Sequence, residues 1–279
     1  MQLIDGTIPV FGEADEKTLK QIRTCAKTAD RVALMPDNHL GYGVPIGGVV
    51  AYRNAISPTG VGYDIGCGNK AVRLDMTGAY LRPNIGRIMD EVAKTISFGI
   101  GRKNAERVDS AVLDKAQDGW NLEATRPLYQ KAEAQLGTVG SGNHYVDIFT
   151  DEDDRVWMGA HFGSRGFGHG VATWFLKAAG AKDGMDVEPC VLDVNSDLGA
   201  QYLLAMHLAG AYAYAGRDWV AIVWRRFSVR RLWRWSTTTT TSPGTRSMET
   251  RCFGLFARAL RRHFPGRRDL SEAPWARSQ

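Results

Sequence analysis

Asp64 and Cys67 stand three residues apart in the run Gly60-Val61-Gly62-Tyr63-Asp64-Ile65-Gly66-Cys67-Gly68. The glycines let the backbone turn sharply, so a carboxylate and a thiolate at this spacing can reach one metal ion. Mixed oxygen and sulfur ligation suits a borderline divalent ion such as Mn²⁺, Zn²⁺ or Co²⁺. The glycine spacing is wrong for a dinucleotide fingerprint, and no Lys-Ser/Thr follows to make a P-loop. A buried cysteine beside a turn-forming aspartate fits the same residues. Two histidine segments follow. One is Gly140-Ser141-Gly142-Asn143-His144, with Asp147 three residues on; the other is His161-Phe162-Gly163-Ser164-Arg165-Gly166, then Gly168-His169. Each of His144 and His161 sits at a strand edge beside glycines, where its imidazole can face a cleft. Arg165 and the glycine-rich backbone beside it could seat an anion, because guanidinium forks and free N–H groups suit phosphate. Asp37 and His39, in Met35-Pro36-Asp37-Asn38-His39, follow a strand and precede a glycine-rich turn, a common place for site residues. Ser141 and Ser164 lie outside any G-x-S-x-G, which argues against a serine hydrolase.

These residues need elements to position them. Residues 13–29 carry Leu19, Ile22 and Ala26 at helical spacing, with acidic residues in the first turn. Residues 31–36, 47–52 and 71–74 read as strands. Ile85, Ile88, Met89, Val92 and Ile96 give a helix with one apolar face. Residues 112–117 and 124–136 read as helical. Residues 145–149 and 155–161 flank the acidic turn Asp151–Asp154 as a hairpin. Residues 171–179 and 198–215 read as apolar helices.

The chain has 279 residues, 44% of them hydrophobic, enough for a sizeable core. No run of 18 apolar residues predicts a membrane span, and the N-terminal residues lack the pattern of a secretory signal. Four widely spaced cysteines point to a reducing, cytoplasmic setting. The net charge of +5 is unevenly spread. Residues 1–221 hold 22 Lys+Arg against 27 Asp+Glu; residues 222–279 hold 13 arginines, no lysine and three acidic residues. The overall excess of positive charge therefore says little about the first 221 residues.

Taken together, the segments at 35–48, 57–68, 136–148, 161–169 and 205–220 resemble, in order, the RtcB family of RNA-splicing ligases. The resemblance implies an α+β fold: a single domain with mixed sheets and surrounding helices, here incomplete at its C-terminal side. It implies a catalytic core over 1–221 and GTP- and Mn²⁺-dependent joining of an RNA 3′-phosphate or 2′,3′-cyclic phosphate to a 5′-hydroxyl, in tRNA splicing or RNA repair. The partners implied are GTP and RNA ends, such as tRNA halves or cleaved RNA, with no membrane. By motif, Asp64, Cys67, His144 and His161 resemble the ligands of Mn²⁺, of which the complete family site holds two. Asn143, Asp147 and Arg165 resemble GTP- and phosphate-binding residues, although the family usually has glutamate where Asp147 stands. Asp37 resembles a supporting acidic residue. Two other classes fit the same residues: a different metal-dependent phosphoryl-transfer enzyme, and a non-catalytic RNA-binding fragment.

The likeness in these motifs stops near Ala221. The family's further metal-binding histidine, its Lys-Gly-Ala-Thr stretch and its guanylylated histidine do not follow. Residues 222–279 form an Arg/Trp/Thr-rich tail without sustained period. Shifted by two bases, threonine codons read as His, Asn, Asp or Tyr, so Thr237–Thr241 can encode a His/Asn run. The same offset lets residues 258–276 encode Lys-Gly-Ala-Thr. The tail therefore reads as out of frame, and a chain without the guanylylated histidine is expected to be inactive in ligation. A basic RNA-binding extension is the other reading.

Overall fold

The computed structural model describes residues 1–105, 107–182, 184 and 187–225. The tail from 226 onward, with Thr237–Thr241, lies outside the described residues.

The architecture is α+β, with several small sheets and surrounding helices. The first layer is a four-stranded sheet of β1 (Gln2–Ile4), β2 (Ile8–Val10), β3 (Arg31–His39) and β4 (Ile46–Ala51), in that order. Helix α1 (Glu16–Ala26) packs on it. Asp15 caps that helix by accepting the Thr18 N–H at 2.7 Å. Its inner face, Ile22 and Cys25, joins Ile8, Val10 and Leu34 in a small core. Gln21, buried on the same helix, donates to Gly41 O and accepts from Gly41 N, pinning the loop between β3 and β4. Strand β3 continues past Pro36 to His39, its register with β4 shifting between Leu34 and His39. Pro36 lacks an N–H, so the ladder is interrupted there rather than ended.

Strand β5 (Ala55–Ile56) pairs with β9 (Leu192–Asp193), and the short helix α2 (Pro58–Val61) follows β5. The sheet that matters most runs β6 (Gly68–Thr77), β8 (Arg155–Phe162), β7 (Tyr145–Thr150), all antiparallel. The hairpin across Asp151–Asp154 forms as its pattern predicts. Helix α3 (Gly78–Thr95) covers this sheet with Leu81, Ile88 and Val92. It starts seven residues before the apolar period at Ile85, because Thr77 caps it by accepting from Tyr80 N.

Residues 112–117 do not form the expected helix; a 3-10 turn covers only Ala111–Leu113. Asp114 Oδ1 accepts the Ala116 N–H at 2.9 Å, a local turn that competes with helix continuation. Within 124–136 the helix is shorter than its pattern: a 3-10 turn at Arg126–Leu128, then α4 (Tyr129–Gln135). Helix α5 spans Arg165–Ala178, six residues earlier than its apolar run. The glycines in its first turns give close packing: a Cβ on Gly170 would lie 2.6 Å from Leu128. Helix α6 (Asp197–Arg225) is apolar nearly all round and correspondingly central. Its first half packs with α5 around Phe167, Phe175, Tyr202 and Tyr212; its end joins the sheet core through Val220, Val223 and Trp224. It runs without break through Ala221, where the composition changes. No helix among the described residues is long and apolar enough to cross a membrane.

Burial pushes the Cys25 thiol up to about 11. Its unfolded counterpart ionises near about 8.5, so the neutral thiol contributes stability that is fully present below that pH and is lost as pH rises toward 11. Cys25→Ala should therefore flatten the fall in melting temperature between pH of about 8 and 10, below the range where buried Tyr202 and Tyr212 titrate. Calorimetry across that window checks it; an unchanged slope would contradict it.

Candidate metal centre

The turn Gly62–Cys67 enters β6, while His144 immediately precedes β7 and His161 lies at the end of β8. Because β8 lies between the other two strands, the three segments converge at one end of the sheet. One donor atom each from Asp64, Cys67 and His144 lie within 4.8 Å of one another. His144 Nε2 is 2.8 Å from Asp64 Oδ2 and 3.5 Å from Cys67 Sγ. His161 Nε2 stands 3.3 Å from the same sulfur, making His161 a fourth donor at the edge of this set.

His161 Nδ1 faces Asn69 Oδ1 at 2.9 Å and donates to it, which leaves Nε2 with its lone pair toward the sulfur. His144 Nδ1 faces Val139 O at 3.0 Å and the Arg165 guanidinium at 2.9 Å. Nδ1 can donate to Val139 O or accept from the donor-only arginine, not both. Accepting from Arg165 puts the proton on Nε2, which donates to Asp64 Oδ2, whereas donating to Val139 O turns an Nε2 lone pair on that oxygen. Only in the second case is that buried oxygen without a donor. A buried carboxylate oxygen, an imidazole nitrogen and a thiol sulfur within 4.8 Å of one another form a donor set that suits a borderline divalent cation.

Electrostatics follow the same geometry. Burial raises the Asp64 carboxyl, but hydrogen bonds from His144 and Cys67 and the charges of His144 and Arg165 outweigh it and hold the group below the usual carboxylate value. Cys67 is pushed up to about 12, by desolvation of the sulfur and then by the Asp64 charge. The residue is nonetheless open to solvent on one side. His161 is lowered, by desolvation first and by the His144 and Arg217 charges next.

Asp64 also holds the start of α5, accepting the Arg165 N–H on Oδ1 at 3.2 Å. Gly163 makes this approach possible: a Cβ there would lie 2.5 Å from the Asp64 carboxyl. Arg165 adopts φ +57°, a left-handed conformation uncommon for a side-chain-bearing residue. Its guanidinium passes over Gly140, where a Cβ would overlap it. Arg165 N is taken by Asp64 and Gly166 N by Gln135 Oε1 at 3.1 Å, which leaves the guanidinium as the group Arg165 can offer an anion.

Asn143 Nδ2 lies 3.4 Å from His161 Nε2, inside the cluster. Asp147 stands two residues along β7 from Tyr145, on the same sheet face as His161, opposite Gly159. Desolvation raises its carboxyl above the usual value. Asp37 is exposed on β3 in the other sheet, and no hydrogen bond or ion pair among the described residues joins it to the cluster. His39 turns back on its own strand, Nδ1 to Asp37 O at 3.0 Å. His169 is on α5, stacked on Tyr63 at 4.9 Å rather than in the cluster.

Sequence reasoning missed Asn69, Tyr145 and Arg217. Asn69 pairs directly with His161 across β6 and β8, and the Tyr145 hydroxyl donates to the same Asn69 oxygen while its ring stacks on His161 at 5.7 Å. Strand register puts them there, and register is not written in the motifs.

The arrangement defines a candidate divalent-metal centre flanked by an arginine, carried on an α+β scaffold. The family described as "tRNA-splicing ligase RtcB" matches residues 18–241, and the chain belongs to that family. The match extends twenty residues beyond Ala221. The tRNA-splicing ligase RtcB of Thermococcus kodakarensis is 32% identical over 262 residues, covering 72% of this chain and 54% of that protein. The corresponding protein of Aeropyrum pernix is 29% identical over 290 residues, covering 81% and 60%. The RNA-splicing ligase RtcB of Escherichia coli K12 is 35% identical over 161 residues, covering 53% and 40%. The chain thus spans about half the length of the curated relatives it matches.

Proposed function

We propose that residues 1–225 form the metal- and phosphate-binding half of an RNA ligase site that uses Mn²⁺ and GTP to join an RNA 3′-phosphate to a 5′-hydroxyl. The observation that carries this is the convergence of Asp64, Cys67, His144 and His161 beside the Arg165 guanidinium, in a chain of the RtcB family. Asp64, Cys67 and His144 would hold one Mn²⁺, with His161 completing that set or holding a second ion. A bound divalent cation neutralises phosphate charge and stabilises the charge that develops in phosphoryl transfer. The chain's own residues supply orientation. Asn69 fixes the His161 tautomer, Asp64 anchors the start of α5, and Arg165 presents a fixed cation to an RNA or nucleotide phosphate. Asn143 reaches the same space as a neutral donor. Asp147, on the exposed sheet face beside Tyr145, would meet the nucleotide base. Asp37 would act from a separate strand, supporting rather than touching the metal.

The 279-residue chain has six histidines, none in the Asn-His-Gly-Ala-Gly-Arg setting of the family's guanylylated histidine. We infer that it binds a 3′-phosphorylated RNA end but forms no covalent guanylate. With Mn²⁺, an oligonucleotide ending in a 3′-phosphate should bind more tightly than its 3′-hydroxyl counterpart, and labelled GTP should leave no adduct. Equal affinity for the two ends would contradict the phosphate assignment; a stable adduct would contradict the inactivity. Turnover of the phosphorylated end without GTP would favour a different phosphoryl-transfer enzyme. The coding sequence around codon 221 tests whether the tail is out of frame.

A further inference from the structure

Beneath the candidate metal centre lies a buried arginine that none of the motif chemistry uses. Arg217 is on α6, only 2% exposed, within the run Gly216-Arg217-Asp218-Trp219. Its Nη1 donates to Gly66 O at 2.8 Å and to Phe162 O at 2.6 Å. Gly66 precedes Cys67, and Phe162 follows His161. One guanidinium nitrogen therefore joins the backbone of the thiol-bearing turn to the backbone of the strand that carries the imidazole. The guanidinium carbon lies over the Tyr214 ring, 4.7 Å from its centroid, a cation–π contact that helps hold it.

The neighbouring residues lock the same helix against the same segments. Asp218 pairs with Lys70 at 2.6 Å, next to Asn69, the residue that holds His161. Gly216 lets α6 approach the Phe162 ring, which a Cβ would meet at 3.2 Å. A buried guanidinium is retained against its desolvation cost only when its donors are satisfied, and here backbone carbonyls beside two site residues do part of that.

We propose that Arg217 is a positioning residue for the metal centre: its Nη1, shared between the two carbonyls, sets the separation of Cys67 Sγ from His161 Nε2, 3.3 Å in this structure, and so the shape of the ligand set. This rests on the reading of Asp64, Cys67, His144 and His161 as metal ligands. Arg217 itself touches neither ion nor substrate. Loss of a partner of this kind weakens metal affinity by about 10–100-fold.

The test uses the full chain loaded with Co²⁺, whose thiolate charge-transfer and ligand-field bands report the sulfur and the geometry. Arg217→Lys keeps the charge but not the planar fork, and Co²⁺ affinity should fall by about tenfold or more with a shifted charge-transfer band. Tyr212→Phe, a buried control on the same helix, should lower the melting temperature without moving either. Should Arg217→Lys not fold, Tyr214→Leu at a half-exposed position removes the ring under the guanidinium and should shift the band in the same direction by less. An unshifted band and unchanged affinity in whichever of the two folds would overturn the proposal. Failure of the wild-type chain to bind Co²⁺ at all would instead overturn the metal-centre reading on which it rests.

Discussion

Cys67→Ala should lower the affinity of the chain for Mn²⁺ or Co²⁺ by more than the roughly 100-fold upper range seen when an outer partner is lost. The sulfur stands between the two imidazoles, 3.5 Å from His144 Nε2 and 3.3 Å from His161 Nε2. Alanine leaves both rings in place, each still held through Nδ1, so the remaining donors cannot close around the space the sulfur filled. The fold should be nearly indifferent, because the residue is exposed and belongs to no core cluster; a surface change of this kind costs within about 0.5 kcal/mol. Calorimetric titration of the variant with metal, beside denaturation without it, separates the two effects. Wild-type affinity in a variant of wild-type stability would show that the thiol is a bystander.

The second large effect concerns the end of α6. Trp224→Ala should destabilise the chain by about 3–5 kcal/mol, the range for a fully buried aromatic. Trp224 is 0% exposed and packs in the cluster of Ile88, Val92, Val139, Phe162 and Val220 that backs the β6–β8–β7 sheet. It lies three residues past Ala221, where the charge pattern changes. Ile222, nearly half exposed two residues earlier, is the control: Ile222→Ala should cost far less. Denaturant unfolding of the two variants measures the difference. Equal costs would mean that the helix beyond Ala221 does not complete the sheet core.

The four donors were legible because each motif combines an unusual residue with glycines that leave it room. Gly163 admits the Asp64 carboxyl, and Gly140 admits Arg165. The pairing of those donors was less legible. His161 depends on Asn69 through cross-strand register, and Cys67 depends on Arg217 through a helix some 150 residues later in sequence. Neither dependence leaves a local pattern, although the charged pair Arg217-Asp218 inside the mostly apolar second half of α6 was a signal that could have been read. The strands Gln2–Ile4 and Ile8–Val10 were missed because three residues are too few to show a period of two. The helix expected at residues 112–117 failed for the opposite reason: its apolar residues are buried, but Asp114 turns the chain first. Beside Arg165, two backbone N–H groups already serve Asp64 and Gln135, a use that the glycine pattern alone does not reveal.

The central claim is that Asp64, Cys67 and His144, with His161 beside them, form a metal centre at the end of the β6–β8–β7 sheet. X-ray absorption spectroscopy of the Co²⁺-loaded full chain tests it most directly. The account predicts one sulfur scatterer together with nitrogen and oxygen neighbours that include imidazole. A shell of oxygen neighbours alone, without sulfur or imidazole, would contradict it.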